Sequence, residues 1–412
     1  MKAFIFDDAG TGKTKRSIDL FKNASHVLVV CPANVVNSSW MPQIAHWDKN
    51  AQAITLKQYE KNGWPDMVKY LVVSYNSLHK LTQLPDDYSL IVDESHYVKN
   101  PNATRSKQVR KLMEYADNAL MLTGTPAPRS LEDIFGQLQV LYPNRKERGQ
   151  QFGAMFETLT SFRRYYGKPS QHLFRGSPVT TWDYSEPSAM QVSEKISNLI
   201  LERRASSLTL PDPEWVPTVK TEHEMEMFAR WHDDWRLNDD VTAETASARA
   251  NKIGQLDDGF AYSADMTPFW FGDSKLQAFQ QWFKKHSHTP VLVWTRYKAM
   301  QERLAQYGGV DARKWLQSGR TLVPLFLIAS PASIGTGVDG LQHVCDTQVW
   351  FDLPYTYADW EQANRRLVRR GTDFDSHHII VLGTSYNRRL WEVIQGRETL
   401  DSILKGPSWQ TL

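Results

Sequence analysis

Short apolar runs recur through the first third of the chain: Ala3-Phe4-Ile5-Phe6, His26 to Pro32, Leu71 to Tyr75, Leu90 to Glu94 and Ala119 to Pro126. They do not alternate with polar residues, so each reads as a strand buried on both faces. Between them, apolar positions take helical spacing, as in Arg16 to Phe21 and in Trp40, Ile44 and Trp47. Strands separated by helical patterns predict a parallel sheet covered by helices. From about residue 143 to 217 the strand pattern stops. Phe152, Phe156, Leu159 and Phe162 have helical spacing there, as do Ile196, Leu199 and Ile200, with Gly, Pro and Ser clustered at 167–170 and 176–178. This predicts a helical insertion. A second helical stretch runs from about Glu222 to Tyr262 and is acidic at Asp233-Asp234 and Asp239-Asp240. Runs at Val291–Trp294, Leu325–Ser330, Thr347–Phe351 and His378–Leu382 predict a second sheet. The expected fold class is α/β with two tandem parallel-sheet domains, at 1–142 and 218–412, and an insertion at 143–217.

Composition narrows this picture. The 412 residues have room for two or three domains. No stretch is long enough to span a membrane, and Met1-Lys2-Ala3-Phe4-Ile5-Phe6 meets Asp7 before a leader-like apolar region develops. A cytoplasmic protein is expected. The two cysteines, Cys31 and Cys345, fall in predicted strands and read as core residues of a reducing compartment. Net charge is +2, so any nucleic acid must be held by a local basic surface, not by global charge. Most of the 15 Trp are expected to serve packing.

Three segments carry candidate chemistry. The first is Asp7-Asp8-Ala9-Gly10-Thr11-Gly12-Lys13-Thr14, between a predicted strand and a predicted helix. That context suits a phosphate-binding loop, in which Gly10 and Gly12 let backbone N–H groups turn toward phosphate oxygens. Lys13 would reach the β- and γ-phosphates and Thr14 would hold magnesium, with Asp7, Gly10, Thr11 and Gly12 shaping the loop. The general pattern G-x-x-x-x-G-K-[ST] has Gly where this chain has Asp7. The second segment is Asp93-Glu94-Ser95-His96, at the end of a predicted strand. Asp93 would hold the magnesium, and Glu94 would deprotonate the attacking water. His96 is either a relay to the Thr123-Gly124-Thr125 turn or a surface histidine. The third is Gln362 to Gly371, where Arg366 and Arg369 would share a helix face and direct two guanidinium groups at one triphosphate. The alternative for any basic helix is a solvated face, to which Arg365 and Arg370 are assigned.

In this order the motifs resemble those of superfamily 2 helicases, and within them the Swi/Snf-type DNA translocases. The loop at 7–14 looks like that family's D-E-x-G-x-G-K-T, which accounts for Asp7. Val29 to Ala33 with Trp40 resembles motif Ia, and Ser74-Tyr75 the motif after it. Asp93-Glu94-Ser95-His96 with Lys99-Asn100 resembles D-E-A-H-x-x-K-N, and Leu122 to Pro126 matches L-T-G-T-P, continued by Leu131 to Ile134. Leu201-Glu202-Arg203-Arg204 looks like the L-R-R of the family's protrusion. Ser330, Ser333, Gly335, Gly337 and Asp339 resemble motif V, with Asp339 in the place of the family's Asn. Gln362 to Gly371 resembles motif VI, whose arginines act as fingers.

The resemblance implies two RecA-like domains flanking a cleft, ATP and Mg2+ bound in it, and sequence-independent contact with double-stranded DNA. It assigns catalysis to Lys13, Glu94, Arg366 and Arg369, nucleotide contact to the loop with Gly337 and Asp339, and metal binding to Thr14 and Asp93. Translocation along duplex DNA without full strand separation is the expected activity. The alternative is a DNA-binding module that holds ATP without turnover. Family members read adenine with residues upstream of the phosphate loop; here its strand begins at residue 3, so weak nucleotide selectivity is expected.

Overall fold

A computed structural model describes the chain except at residues 9, 129, 175–176, 202–207, 235–236, 239, 242–245, 287–289, 320–323, 332–339, 370–371 and 406–412. It divides into two compact units, one built on Met1–Ser207 and the other on Leu208–Tyr355 with Asp359–Gln395.

The first unit is a six-stranded, all-parallel sheet. Its strands are β1 (Lys2–Ile5), β2 (His26–Cys31), β3 (Gln52–Thr55), β4 (Val68–Ser74), β5 (Tyr88–Asp93) and β6 (Asn118–Leu122), in the spatial order β1-β6-β5-β2-β4-β3. Phe4, Leu28, Val30, Leu71, Val73, Leu90, Val92 and Met121 point into one buried cluster. Their neighbours Ala3, Ile5, Val27, Val29, Tyr70, Val72, Ile91, Leu120 and Leu122 point into the other. Two covered faces explain why the runs are apolar throughout instead of alternating. β3 has no such run: it is an edge strand with no fully buried residue, so its sequence, Gln-Ala-Ile-Thr, carries little signal. β1 forms the opposite edge, where Ile200 bridges Phe4 and the Leu201 N–H donates to the Phe4 carbonyl at 3.0 Å.

The stretch expected to be a helical insertion is helical only in part. Helices Arg145–Phe152 and Leu159–Tyr166 precede, and helix Glu186–Ile196 follows, an antiparallel ribbon, β7 (Gly167–Phe174) and β8 (Ser177–Tyr184). The Gly, Pro and Ser residues that read as helix breaks lie largely in this ribbon. Phe152, Phe156, Phe162, Val192 and Ile196 share the cluster that holds Phe4 and Leu90, so these helices complete the first unit's core. Arg148 is buried among them, and its guanidinium donates to the carbonyls of Tyr142 and Phe156 at 2.7 Å each.

The second unit begins earlier than residue 218, with β9 (Glu214–Pro217). After helices Glu222–Asp234 and Ala246–Asp257 comes a short antiparallel hairpin, β10 (Phe260–Tyr262) with β11 (Pro268–Trp270), whose first strand occupies the end of the stretch expected to be helical. Then follow β12 (Val291–Trp294), β13 (Gly309–Asp311), β14 (Phe326–Ala329), β15 (Thr347–Trp350) and β16 (His378–Gly383). The order β13-β14-β12-β15-β16-β9 is again wholly parallel. Among the described residues, no helix is long and apolar enough to cross a membrane.

Candidate functional site

In the first unit, β1, β6 and β5 are adjacent and parallel, so their carboxyl ends open on one edge. Each delivers one predicted segment there, as ligand sites in open α/β sheets require. After β1 the chain makes the glycine loop. Gly10 and Gly12 have φ of 77° and 95°, and open space surrounds the position of a Cβ at either. Gly12 caps helix Lys13–Leu20. The first N–H groups of that helix have no partner within it, which makes its start an anion-binding end. The Lys13 ammonium donates to the carbonyls of Asp7 at 2.8 Å and Asp8 at 3.0 Å. The Thr11 hydroxyl donates to the Asp8 carbonyl at 2.7 Å.

Asp7 has a role its motif position did not show. Its carboxylate is fully buried and takes both contacts from one nitrogen of Arg16, at 3.0 and 3.1 Å. Arg16 lies one turn into the following helix, so this pair fastens the strand end to the helix and holds the loop between them.

From β5 come Asp93 and Glu94. The Trp40 indole N–H donates to Asp93 Oδ2 at 2.8 Å, and the Tyr75 hydroxyl to the Asp93 carbonyl at 2.6 Å. Burial pushes the Asp93 carboxyl up to about 7, and the neighbouring Glu94 adds to this; Trp40 and Lys13 pull the other way. A half-buried acid that resists ionisation beside a lysine is a site that a cation would complete. Glu94 sits at φ 51°, ψ 54°, a left-handed conformation uncommon for a non-glycine residue. Strain of that kind persists only where surrounding structure enforces it.

From β6 comes the threonine turn. Thr123 Oγ1 lies 3.0 Å from His96 Nδ1 and accepts the Thr125 N–H at 3.1 Å. His96 Nδ1 is also 3.4 Å from Glu94 Oε2, so His96 stands between the acid and the turn. Gln137, fully buried in helix Glu132–Leu141, accepts from the Ser95 hydroxyl at 2.7 Å and donates to the Pro126 carbonyl at 2.7 Å. Trp40, Tyr75, Arg16 and Gln137 were not singled out for these contacts from sequence. The signal available was chemical: a buried indole N–H, phenol or amide must find a partner, and here the partner is the site.

In the second unit the expected helix carrying Arg366 and Arg369 stops early. Helix Tyr357–Asn364 ends where the Asn364 side chain, fully buried, accepts from the Trp350 indole at 3.1 Å and donates to the Trp360 carbonyl at 2.8 Å. Its carbonyl also accepts from Gln348 at 3.2 Å. Beyond it the Arg366 N–H donates to Ala363 and the Leu367 N–H to Asn364, three residues back each time. Arg366 and Arg369 therefore follow one another on tight turns, not on a shared α-helical face. Gly337 and Asp339 lie outside the described residues, as do Ser333, Gly335 and Arg370. Both cysteines are buried and reduced; burial raises the Cys31 thiol and pushes the Cys345 thiol up to about 12.

Tandem parallel sheets, the first with a glycine-lysine loop, a strand-end acid and a threonine turn at one edge, define a RecA-like nucleotide-binding ATPase fold. The chain belongs to the SNF2-related domain family, whose model matches residues 2–213. It is 30% identical over 193 residues to the DNA annealing helicase and endonuclease ZRANB3 of Bos taurus, a match covering 43% of this chain and 17% of that protein. The putative protein p41 of Acyrthosiphon pisum secondary endosymbiont phage 1 is 25% identical over 389 residues, 85% of this chain and 82% of p41. The SWI/SNF-related matrix-associated actin-dependent regulator of chromatin subfamily A-like protein 1 of Bos taurus is 25% identical over 434 residues, 96% of this chain and 42% of that protein. The match to ZRANB3 thus spans about a sixth of that protein's length. The Sulfolobus solfataricus SWI2/SNF2 ATPase core in complex with dsDNA aligns over 99% of this chain and 90% of that one, at 15% identity and a TM-score of 0.40.

Proposed function

We propose that this protein hydrolyses ATP to move along double-stranded DNA without full strand separation. The observation that carries the reading is the convergence of Lys13, Asp93 and Thr123 from three adjacent parallel strands on one edge. Family membership supports it: SNF2-type proteins are DNA-dependent ATPases. The residues fit the substrate and its metal. The glycine loop has room for phosphate oxygens, Lys13 places its ammonium against the loop carbonyls of Asp7 and Asp8, and Asp93 is an acid whose carboxyl desolvation raises.

In this reading the loop N–H groups and Lys13 bind the phosphates, while Asp7 and Arg16 keep the loop in shape. Thr14 and Asp93 would hold Mg2+, which when bound draws charge from the transferring phosphoryl group. Glu94 takes the proton of the attacking water. Its strained backbone and the Tyr75 hydroxyl fix where that carboxylate stands. His96 links Glu94 to the Thr123 turn and so orients both. For Arg366 and Arg369 we propose the finger role, stabilising charge in the transition state. Gly337 and Asp339 are assigned to nucleotide contact.

Steady-state ATPase with and without duplex DNA tests the proposal. Turnover that DNA stimulates and that Lys13→Ala abolishes is expected. ATP binding with no turnover under any condition would replace it with a non-hydrolysing DNA-binding module.

A further inference from the structure

The ribbon β7–β8 belongs to neither six-stranded sheet. Of its described side chains from Lys168 to Asp183, all are exposed or half-buried. A two-stranded ribbon outside a larger sheet is marginal in water by itself, so the exposed surface of its described side chains points to a partner. We propose that the ribbon, with the helix end that precedes it, is an arm that grips the phosphate backbone of duplex DNA. This rests on the reading of the chain as a DNA-dependent ATPase and goes beyond it by naming a contact surface.

Charge identifies the partner. Residues 159–184 carry Arg163, Arg164, Lys168 and Arg175 against the single acid Asp183, an excess of +3, when the whole chain carries +2. Arg163 is already committed: it meets Glu132 through two nitrogens at 2.9 and 2.8 Å. Arg164 and Lys168 are exposed, and between them Tyr165 is 61% exposed. Two cations flanking an accessible aromatic ring suit a polyanion with sugar and base faces. Beyond them Gln171 and Thr180 offer uncharged donors along the ribbon. Asp183 stands opposite Lys168 in the register and tempers the positive charge at the base.

The base is anchored to the first unit. The Tyr184 hydroxyl donates to Glu132 Oε1 at 2.7 Å, completing a cluster with Arg163. The Ser188 hydroxyl donates to the Tyr166 carbonyl at 2.8 Å. Gly167 lets the rings of Trp182 and Tyr184 close on the ribbon's first residue: a Cβ there would lie 3.0 Å from one ring and 3.1 Å from the other. Glu132 opens the helix that holds Gln137 against Ser95, next to Glu94. One helix therefore joins the base of the arm to the segment that carries Glu94.

The full-length chain with Arg164→Ser and Lys168→Ser together is compared with wild type by fluorescence anisotropy on a labelled duplex at several salt concentrations. The dissociation constant is expected to rise roughly five- to twentyfold, and the slope of log K against log salt to flatten by about one to two, since each lost phosphate contact removes about 0.9. The DNA concentration giving half-maximal ATPase should rise by the same factor, with DNA-free turnover unchanged. Asp183→Asn, which adds no bulk, should change affinity and slope in the opposite sense. Affinity and slope unchanged in both variants would overturn the arm while leaving the motor intact, and would favour a protein strand pairing with the ribbon's open edges. A wild-type chain that neither binds duplex DNA nor responds to it would overturn arm and motor together.

Discussion

At the scale of single residues, Asp93, which we propose as the metal ligand, and Glu94, which we propose as the base, stand in different environments. Asp93 and Glu94 are sequence neighbours, yet Asp93 is fixed by the Trp40 indole and raised by burial, whereas Glu94 takes a left-handed backbone and brings Oε2 to 3.4 Å from His96 Nδ1. Glu94→Gln keeps that shape and removes the basic oxygen. Turnover should fall by roughly two to four orders of magnitude while ATP binding persists. Unchanged turnover in a single-turnover assay would take the base role away from Glu94. In the second unit, Lys275 is wholly buried, with its ammonium 2.5 Å from Asp257 and 2.7 Å from Asp258. Burial pushes the Asp258 carboxyl up to about 7, and Lys275 is the chief group opposing that. Lys275→Met should therefore cost about 3 to 5 kcal/mol, the penalty for a buried charge stripped of its partner. The native state of the variant must retain protons that the unfolded chain releases near pH 4. Its stability then declines as pH rises through 7, so urea denaturation should show a larger deficit at pH 8 than at pH 5.5.

Among elements, helix Glu132–Leu141 has the most demanding fit. Gly136 faces the carbonyl of Lys99 so closely that a Cβ would lie 1.8 Å from its oxygen. The neighbour is backbone, so it cannot swing aside. Gly136→Ala should destabilise the protein by roughly 1 to 3 kcal/mol or more. It should also displace Gln137 from Ser95, lowering turnover even where the chain remains folded; a melting curve and an ATPase rate on the same sample separate the two effects. Elements were unevenly legible in the sequence. Buried strands such as His26–Cys31 announce themselves because both faces are covered. The ribbon at 167–184 did not, because its Gly, Pro and Ser residues match a loop as well as a polar, two-sided strand pair. The turn at Arg365 to Arg369 was hidden for another reason. What ends the helix is a hydrogen-bond network from Asn364 to Trp350, Trp360 and Gln348, and only one of those partners lies in the same helix.

For the whole molecule, the telling experiment concerns the second unit. A fragment ending at residue 142 would strip Phe152, Phe156, Phe162 and Ile196 from the first unit's core, so 1–207 is the appropriate piece. That fragment should bind nucleotide through the glycine loop but show negligible DNA-stimulated hydrolysis. In the full chain, Arg366→Ala or Arg369→Ala should leave ATP binding within a few-fold of wild type. Each should lower turnover by up to about 10³ to 10⁵, the range for an arginine finger. Full activity in the fragment would assign these arginines to DNA or to structure instead. The sequence by itself determined the α/β class, the succession of buried strands along the chain and the candidate segments at 7–14 and 93–96. Those features are local: a run of apolar residues or a glycine spacing needs only its neighbours to be recognised. Only tertiary structure decided that Trp40 and Tyr75 hold Asp93, that Arg16 takes Asp7, and that Gln137 joins Ser95 to the threonine turn. It also decided that the helices after residue 143 complete the first core. Each of these depends on burial bringing polar groups and apolar faces together across the fold, where an unpaired donor or an uncovered face would be costly.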